Sequence, residues 1–356
     1  MHTLAAFLGR VVVAGLVLSL APAAALAQGG AAGCELGDYD PVQRPNPEGT
    51  PTEVGIGVYI VRLDRVDNVD ESFRLDGFFT LAWRDERLAA VVRAANRQQC
   101  RFALQQVWDP QLLFYNRREM SLELPEAVTV DLNGDVHYVQ RVQSTLVAPM
   151  DLRDFPMDRQ SLPITFISYE YDPESVPLTL DETTASRETD VPISGWEIDE
   201  LVRRGGALEV ESGGPTAEVS RFARFDYVFR VHRDIDYYVW RVIGPLTFIV
   251  LMSWAVFWID PGNFSVQIGL ASTSILTLVA FLFSLNNVLP PLSYLTRMDI
   301  FLFSSLVLAF LAFAEAVMTA VLKAGDREAL ALRIDRWARW VFPATFAILH
   351  VVLWTT

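Results

Sequence analysis

The chain has 356 residues, with 43 Asp or Glu against 29 Lys or Arg and a formal net charge of −14, so a polyanion such as nucleic acid finds no electrostatic partner here. Its hydrophobic content of 51% is unevenly divided: a charged, acidic first part gives way near Asp236 to a strongly apolar second part. A chain split in this way is expected to form two domains in two solvents.

At the amino terminus, Arg10 precedes the apolar run 11–20, and Ala25-Leu26-Ala27 supplies a small-residue cleavage site, so residues 1–27 read as a signal peptide. The alternative, a fifth membrane helix, has a run short for a span. Export puts the two cysteines, Cys34 and Cys100, in an oxidising compartment, where a disulfide is expected. Unpaired thiols, or lipidation of Cys34 after Ala31-Ala32-Gly33, are the other readings.

Residues 28–236 read as an all-β, immunoglobulin-like extracellular sandwich. Short strand-like runs such as 54–63 and 73–83 alternate with Asp, Asn, Gly and Pro clusters. Residues 127–132 and 135–142 flank Asn133-Gly134, a hairpin turn pair. Residues 84–99 instead predict a short amphipathic helix ending just before Cys100, which a bridge to Cys34 would pin to the amino-terminal segment. The four histidines (His2, His137, His232, His350) are scattered, and neither a phosphate-binding glycine loop nor a Gly-x-Ser-x-Gly elbow is present. No catalytic residue, resident metal or cofactor is expected.

Residues 237–356 read as an all-α, four-helix transmembrane domain with spans at about 238–259, 264–289, 299–322 and 337–354. The connection 323–339 carries Lys323, Arg327, Arg333, Arg336 and Arg339, which makes it cytoplasmic and returns the carboxyl terminus to the outside. The second span is rich in Ser, Thr and Asn. Gly269, Thr273, Leu276, Ala280, Phe283 and Asn287 recur at a 3.5-residue spacing, a stripe that suits either a water-filled pore or a helix-packing face. Leu276 and Phe283 are apolar rings of the kind that close a pore by dewetting. Glu315, within the third span, is a candidate proton-sensing or packing group.

The segment Asp151-Leu152-Arg153-Asp154-Phe155-Pro156-Met157-Asp158 closely resembles the Phe-Pro-x-Asp loop of Cys-loop receptors, with Ala148 and Leu162 where animal receptors carry the loop cysteines. Further segments follow in order. Trp83 to Leu88 is similar to the Trp-x-Asp-x-x-Leu segment, Trp108-Asp109-Pro110 through Tyr115-Asn116 to the Trp-x-Pro motif, and Ser168 to Asp172 to the next binding segment. Gly244-Pro245 in the first span and Leu289 to Tyr294 after the second complete the set. Over roughly residues 50–356 the chain thus resembles a bacterial pentameric ligand-gated ion channel.

That resemblance implies a homopentamer in a bacterial inner membrane, with the stripe of the second helix lining the pore. It also implies an agonist site between subunits, built here from Tyr115, Tyr169, Glu170 and Phe222 on one side and Phe78 on the other, with a small amine as the leading ligand because aromatic faces attract ammonium groups. Coupling to the pore would run through Asp158 and Arg233, with Asp67 or Asp70 nearby, and press on Pro290 and the loop after it. The pore mouth at Ser265, Val266 and Gln267 carries no charged residue, so the acidic outer domains carry the expectation of monovalent cation conduction. Protons as the stimulus, and modulation by divalent cations, remain open beside the amine. The rival reading is a membrane-anchored sensor that conducts no ions.

Overall fold

A computed structural model describes residues 34–46, 49–181, 193–211, 219–260, 262–285 and 292–355. The expected signal peptide, Asn287 and Pro290 lie outside the described residues.

Strand β2 (Ser72–Arg84) shows the rule by which the first part folds: Phe73, Leu75, Phe79, Leu81 and Trp83 turn inward while Arg74, Asp76 and Phe78 turn out. It lies between β1 (Val54–Asp67) and β7 (Asp135–Val147), both antiparallel to it. These strands belong to a seven-stranded sheet of order β3-β6-β7-β2-β1-β9, with β5 (Arg117–Leu122) also on β7. The other members are β3 (Gln99–Ala103), β6 (Ala127–Asp131) and β9 (Leu178–Leu180), the last parallel to β1. The facing sheet has the order β10-β11-β8-β4, from Trp196–Glu211, Val219–Arg233, Arg159–Ser168 and Leu112–Phe114. Phe79 of one sheet stacks on Phe166 of the other at 5.1 Å between ring centres and meets Phe114 edge-on at 5.5 Å, so the sandwich closes on aromatic contacts.

Asn133-Gly134 makes the expected turn between β6 and β7, with Gly134 at φ 83°. A side chain there would meet the Asp85 carbonyl at 2.4 Å, so the glycine is needed for close approach as well as for its dihedral. Asp85 itself is fully buried and caps α1 (Glu86–Ala94) by accepting the Arg87 N–H at 3.0 Å. Its carboxylate also accepts from Arg87 Nε and Nη2 at 2.9 and 2.7 Å and from the Tyr39 hydroxyl at 2.8 Å. Burial pushes the Tyr39 phenol upward.

The helix is shorter than the pattern over 84–99 predicts, because Asn96 turns into the left-handed region at φ 50° and the chain re-enters the sheet as β3. The disulfide Cys34–Cys100, with Cα atoms 6.2 Å apart, therefore pins the amino-terminal segment to a strand rather than to the helix.

Four helices follow that are long and apolar enough to cross a membrane: α2 (Asp236–Trp258), α3 (Phe264–Leu285), α4 (Arg297–Ala324) and α5 (Glu328–Thr355). The last begins nearer the third than hydropathy suggests. Ala331, Asp335 and Ala338 recur at helical spacing and are buried, so the first turns of α5 pack on the bundle although Arg333 and Arg336 face outward. Only residues 325–327 separate α4 from α5.

Asp85→Ala strands an arginine, a phenol and a helix end together, and is expected to cost about 3–5 kcal/mol. Arg84→Ala, at an exposed pair 3.7 Å from Glu86, should stay within about 0.5 kcal/mol. Thermal unfolding of the two purified variants checks the contrast, and equal melting temperatures would remove Asp85 from this role.

Candidate functional site

Of the aromatic residues that the sequence groups together, Tyr169 and Phe222 sit near the ends of neighbouring strands. Tyr169 and Glu170 follow β8 and are exposed, and the Tyr169 N–H donates to the Gln111 carbonyl at 3.3 Å. Phe222 lies on β11, next to Ala223, whose N–H donates to the Tyr171 carbonyl at 2.9 Å, so the Tyr169 and Phe222 segments are brought side by side. Tyr115 is also exposed, but its N–H bonds to Thr165, four residues down the pair from Tyr169 and therefore about 13 Å away along the strand. Phe78 belongs to the other sheet, where Arg141 lies 5.8 Å over its ring and pairs with Asp76 at 3.1 Å. Within one chain it stands apart from the rest of the set.

Two residues that the sequence reading did not single out join this end of the sandwich. Gln111 bonds to the Tyr169 hydroxyl and to the Asp109 carboxylate. Burial raises the Asp109 carboxyl, and Glu170 and Glu126 add to the effect. Both residues stand inside the Trp-Asp-Pro-Gln run, so the motif marked the place without marking their roles. Among the described residues no group of three or more His, Cys, Asp or Glu is arranged to hold a metal ion.

At the membrane end the geometry is tighter. Arg233, only 6% exposed, donates from Nε and Nη2 to the two oxygens of Asp158 at 2.7 and 2.9 Å, and Asp158 is 1% exposed. The guanidinium also lies 4.1 Å from the Trp196 ring centre and 4.9 Å from that of Phe155. Gln160 donates to Asp158 Oδ2 at 2.7 Å. The contact from the β1–β2 loop is made by Asn68, whose Oδ1 accepts from Arg233 Nη2 at 2.9 Å. Asp67 instead accepts the N–H groups of Val69 and Asp70, bending the loop, and Asp70 lies 3.8 Å from Arg118. The loop residue that meets the ion pair is thus the amide between the two predicted acids.

The segment 151–158 runs from this pair to the membrane helices. The first N–H groups of a helix have no partner within it. In α4 the Arg297 and Met298 N–H groups donate to the carbonyls of Arg153 and Phe155 at 2.9 and 3.2 Å, and Arg297 Nε pairs with Asp154 at 2.9 Å. Thr296 and Asp299 complete the end as a capping box. Tyr294 accepts the Leu152 N–H at 3.1 Å, and Arg153 lies 4.8 Å over its ring.

On α3, Gly269, Thr273, Leu276, Ala280 and Phe283 are all exposed in the single chain, while Ala271, Ser274 and Leu278 on the other face are buried. Leu276 and Phe283 are each 70% exposed. Thr273 and Ser274 turn their hydroxyls back onto carbonyls four residues earlier at 2.8 and 2.9 Å. Gln267 departs from its expected place at the pore mouth: it is buried, and its amide donates to the Val256 and Ile259 carbonyls at 3.2 and 3.0 Å, holding the α2–α3 corner. Glu315 of α4 is buried against Asp335 of α5, inside the bundle.

Residues 35–233 match the neurotransmitter-gated ion-channel ligand binding domain, and residues 242–328 match the neurotransmitter-gated ion-channel transmembrane region. A proton-gated ion channel of Gloeobacter violaceus is 27% identical over 316 residues, covering 88% of this chain and 86% of the relative. A gamma-aminobutyric acid receptor subunit beta-4 of Gallus gallus is 27% identical over 286 residues, and a beta subunit of Lymnaea stagnalis is 27% identical over 293. Each alignment covers 78% of this chain, which spans 57% of the length of these two relatives. Together with the four apolar helices, these matches describe a multi-pass membrane protein whose amino-terminal domain is extracellular. The chain belongs to the neurotransmitter-gated ion-channel family, and is a ligand-gated channel protein rather than an enzyme.

Proposed function

We propose that this chain is the subunit of a homopentameric, cation-conducting channel in a bacterial inner membrane, opened by a small amine bound at its extracellular domain. Residues 28–236 form the ligand-binding part and 237–356 the pore part, after removal of residues 1–27. The observation that carries this reading is the exposed stripe on α3, where Leu276 and Phe283 have no cover within the chain. Five copies around an axis give that stripe a lumen, with Gly269 and Thr273 toward one end, Asn287 expected at the other and two apolar rings between. The small and polar Gly269 and Thr273 on the same face are what a purely lipid-facing stripe does not need.

The amine would sit between subunits, against Tyr115, Tyr169, Glu170 and Phe222 of one and Phe78 of the next. Gating passes from the sandwich to the helices through the buried Asp158–Arg233 pair and the 151–158 segment that caps α4. Two packings of that junction, one for the closed and one for the open pore, would be biased by ligand on one side and by the α3 bundle on the other.

Protons are the second reading, favoured by His232. His232 directly precedes Arg233 in the chain; its Nδ1 is 2.7 Å from Asp199 and its Nε2 is 3.4 Å from Glu197, while Arg159 faces Asp199 at 3.9 Å. A protonated imidazole donates from both ring nitrogens, so a proton there would tie both carboxylates at once. A pH step from about 7 to 5 without amine evokes current under this reading and none under the amine reading.

Leu276→Ser wets the apolar ring and should give a standing leak in voltage-clamped cells. Reversal of that leak should follow the sodium gradient; a reversal that tracks chloride would sink cation selectivity. Arg233→Asp places two carboxylates in one buried site, a loss of about 3–5 kcal/mol at the junction, and should abolish evoked current while the pentamer still elutes intact. Restoration of current in the exchanged pair Asp158→Arg/Arg233→Asp supports the coupling role, whereas loss of assembly in Arg233→Asp would make the pair purely structural.

A further inference from the structure

Gln111 is held in an unusual way. Its backbone lies at φ 52°, a left-handed conformation that a glutamine enters only when its surroundings require it. Its N–H donates to Asp109 Oδ1 at 2.8 Å and its side-chain amide to Asp109 Oδ2 at 3.0 Å, so both carboxylate oxygens are engaged by one residue. Its carbonyl accepts the Tyr169 N–H at 3.3 Å, and its Oε1 accepts the Tyr169 hydroxyl. Asp109, Gln111 and Tyr169 form a hydrogen-bonded chain that begins at a half-buried carboxylate and ends on an exposed ring.

The direction of that chain follows from donor chemistry alone. A carboxylate accepts and does not donate, so Asp109 obliges the Gln111 amide to turn its NH2 toward it and its oxygen toward Tyr169. The phenol must then donate to Gln111, and its single O–H is consumed. What Tyr169 presents to a ligand is a fixed ring face and oxygen lone pairs, both attractive to a cation and neither able to donate to an anion. Glu170 stands beside it, and Glu126 acts electrostatically on Asp109, so the surrounding charge has the same sign.

We propose that Asp109 and Gln111 are the specificity-determining residues of this site, positioning Tyr169 so that it takes a small ammonium ligand without a carboxylate and rejects the zwitterionic amino acid of the same length. The inference rests on the amine reading above and adds what that reading leaves open, namely which amines. Like charges brought together at a binding interface are strongly disfavoured, which sets the expected preference at about tenfold or more.

The test is calorimetric titration of the purified, full-length channel with butan-1-amine and with 4-aminobutanoate, which carries a carboxylate where the first has a methyl group. Wild type should bind the amine at least about tenfold more tightly. Asp109→Asn removes the charge and lets the 111 amide turn over, freeing the phenol to donate, so the ratio should fall to within about threefold. Gln111→Met keeps the shape and the Asp109 charge but breaks the chain, and should also lower the ratio; it decides the matter if Asp109→Asn fails to assemble. A ratio between two ligands on one preparation is insensitive to a merely structural loss of active protein. Amine binding with no preference in wild type, or with the wild-type ratio kept in both variants, overturns the inference and leaves the amine reading standing. Binding of neither ligand to wild type overturns both.

Discussion

A guanidinium taken out of water must have its charge met and its donors filled, and Arg233 achieves this at the junction of the sandwich with the helices. Asp158 meets the charge with both oxygens, Asn68 takes a further donor, and the rings of Trp196 and Phe155 close over the faces. The partners come from three elements, the β1–β2 loop, the 151–158 segment and the start of β10, and Arg233 itself ends β11. Four pieces of chain are thereby held to one point. A change in any of them is felt by the others, because a buried pair tolerates no partial loss of its partners.

The same segment that supplies Asp158 and Phe155 also supplies the carbonyls that cap α4. The orphan N–H groups at the start of a membrane helix need acceptors, and here two of them come from the extracellular domain rather than from the helix's own loop. Sandwich and membrane domain are therefore joined through main-chain hydrogen bonds as well as through charge. At the far end of the sandwich, the Trp108 indole donates to the Tyr171 hydroxyl at 2.9 Å and meets Trp83 edge-on at 5.9 Å between ring centres. Nearby, the bonded chain from Asp109 through Gln111 holds the exposed Tyr169 ring in place.

The helices divide their labour by face. Buried Ser274, Leu278 and Ala271 fasten α3 to its neighbours, and Gln267 ties its start to the carbonyls that end α2. The opposite face is left uncovered. That asymmetry is visible in one chain, although a lumen needs several.

Solvent partition was legible from the sequence: alternation along strands such as β2, the four apolar runs and the Asn-Gly turn all reflect local choices between water, core and lipid. The ordered motifs also located the Asp158–Arg233 pair, since the Phe-Pro-Met-Asp loop carries one partner. Tertiary structure alone decided which neighbour reached that pair. Asn68 reaches it, while the Asp67 carboxylate is taken up by the N–H groups of its own loop and Asp70 lies by Arg118. It also moved Gln267 from the pore mouth to the helix corner, ran α5 back to Glu328 and placed Gln111 between Asp109 and Tyr169. Those outcomes depend on residues far apart in the chain meeting in space, 75 positions apart for Asp158 and Arg233 and 58 for Gln111 and Tyr169. Residue type and spacing fix what a side chain can bond to, and only the packed fold determines which of the possible partners comes within reach.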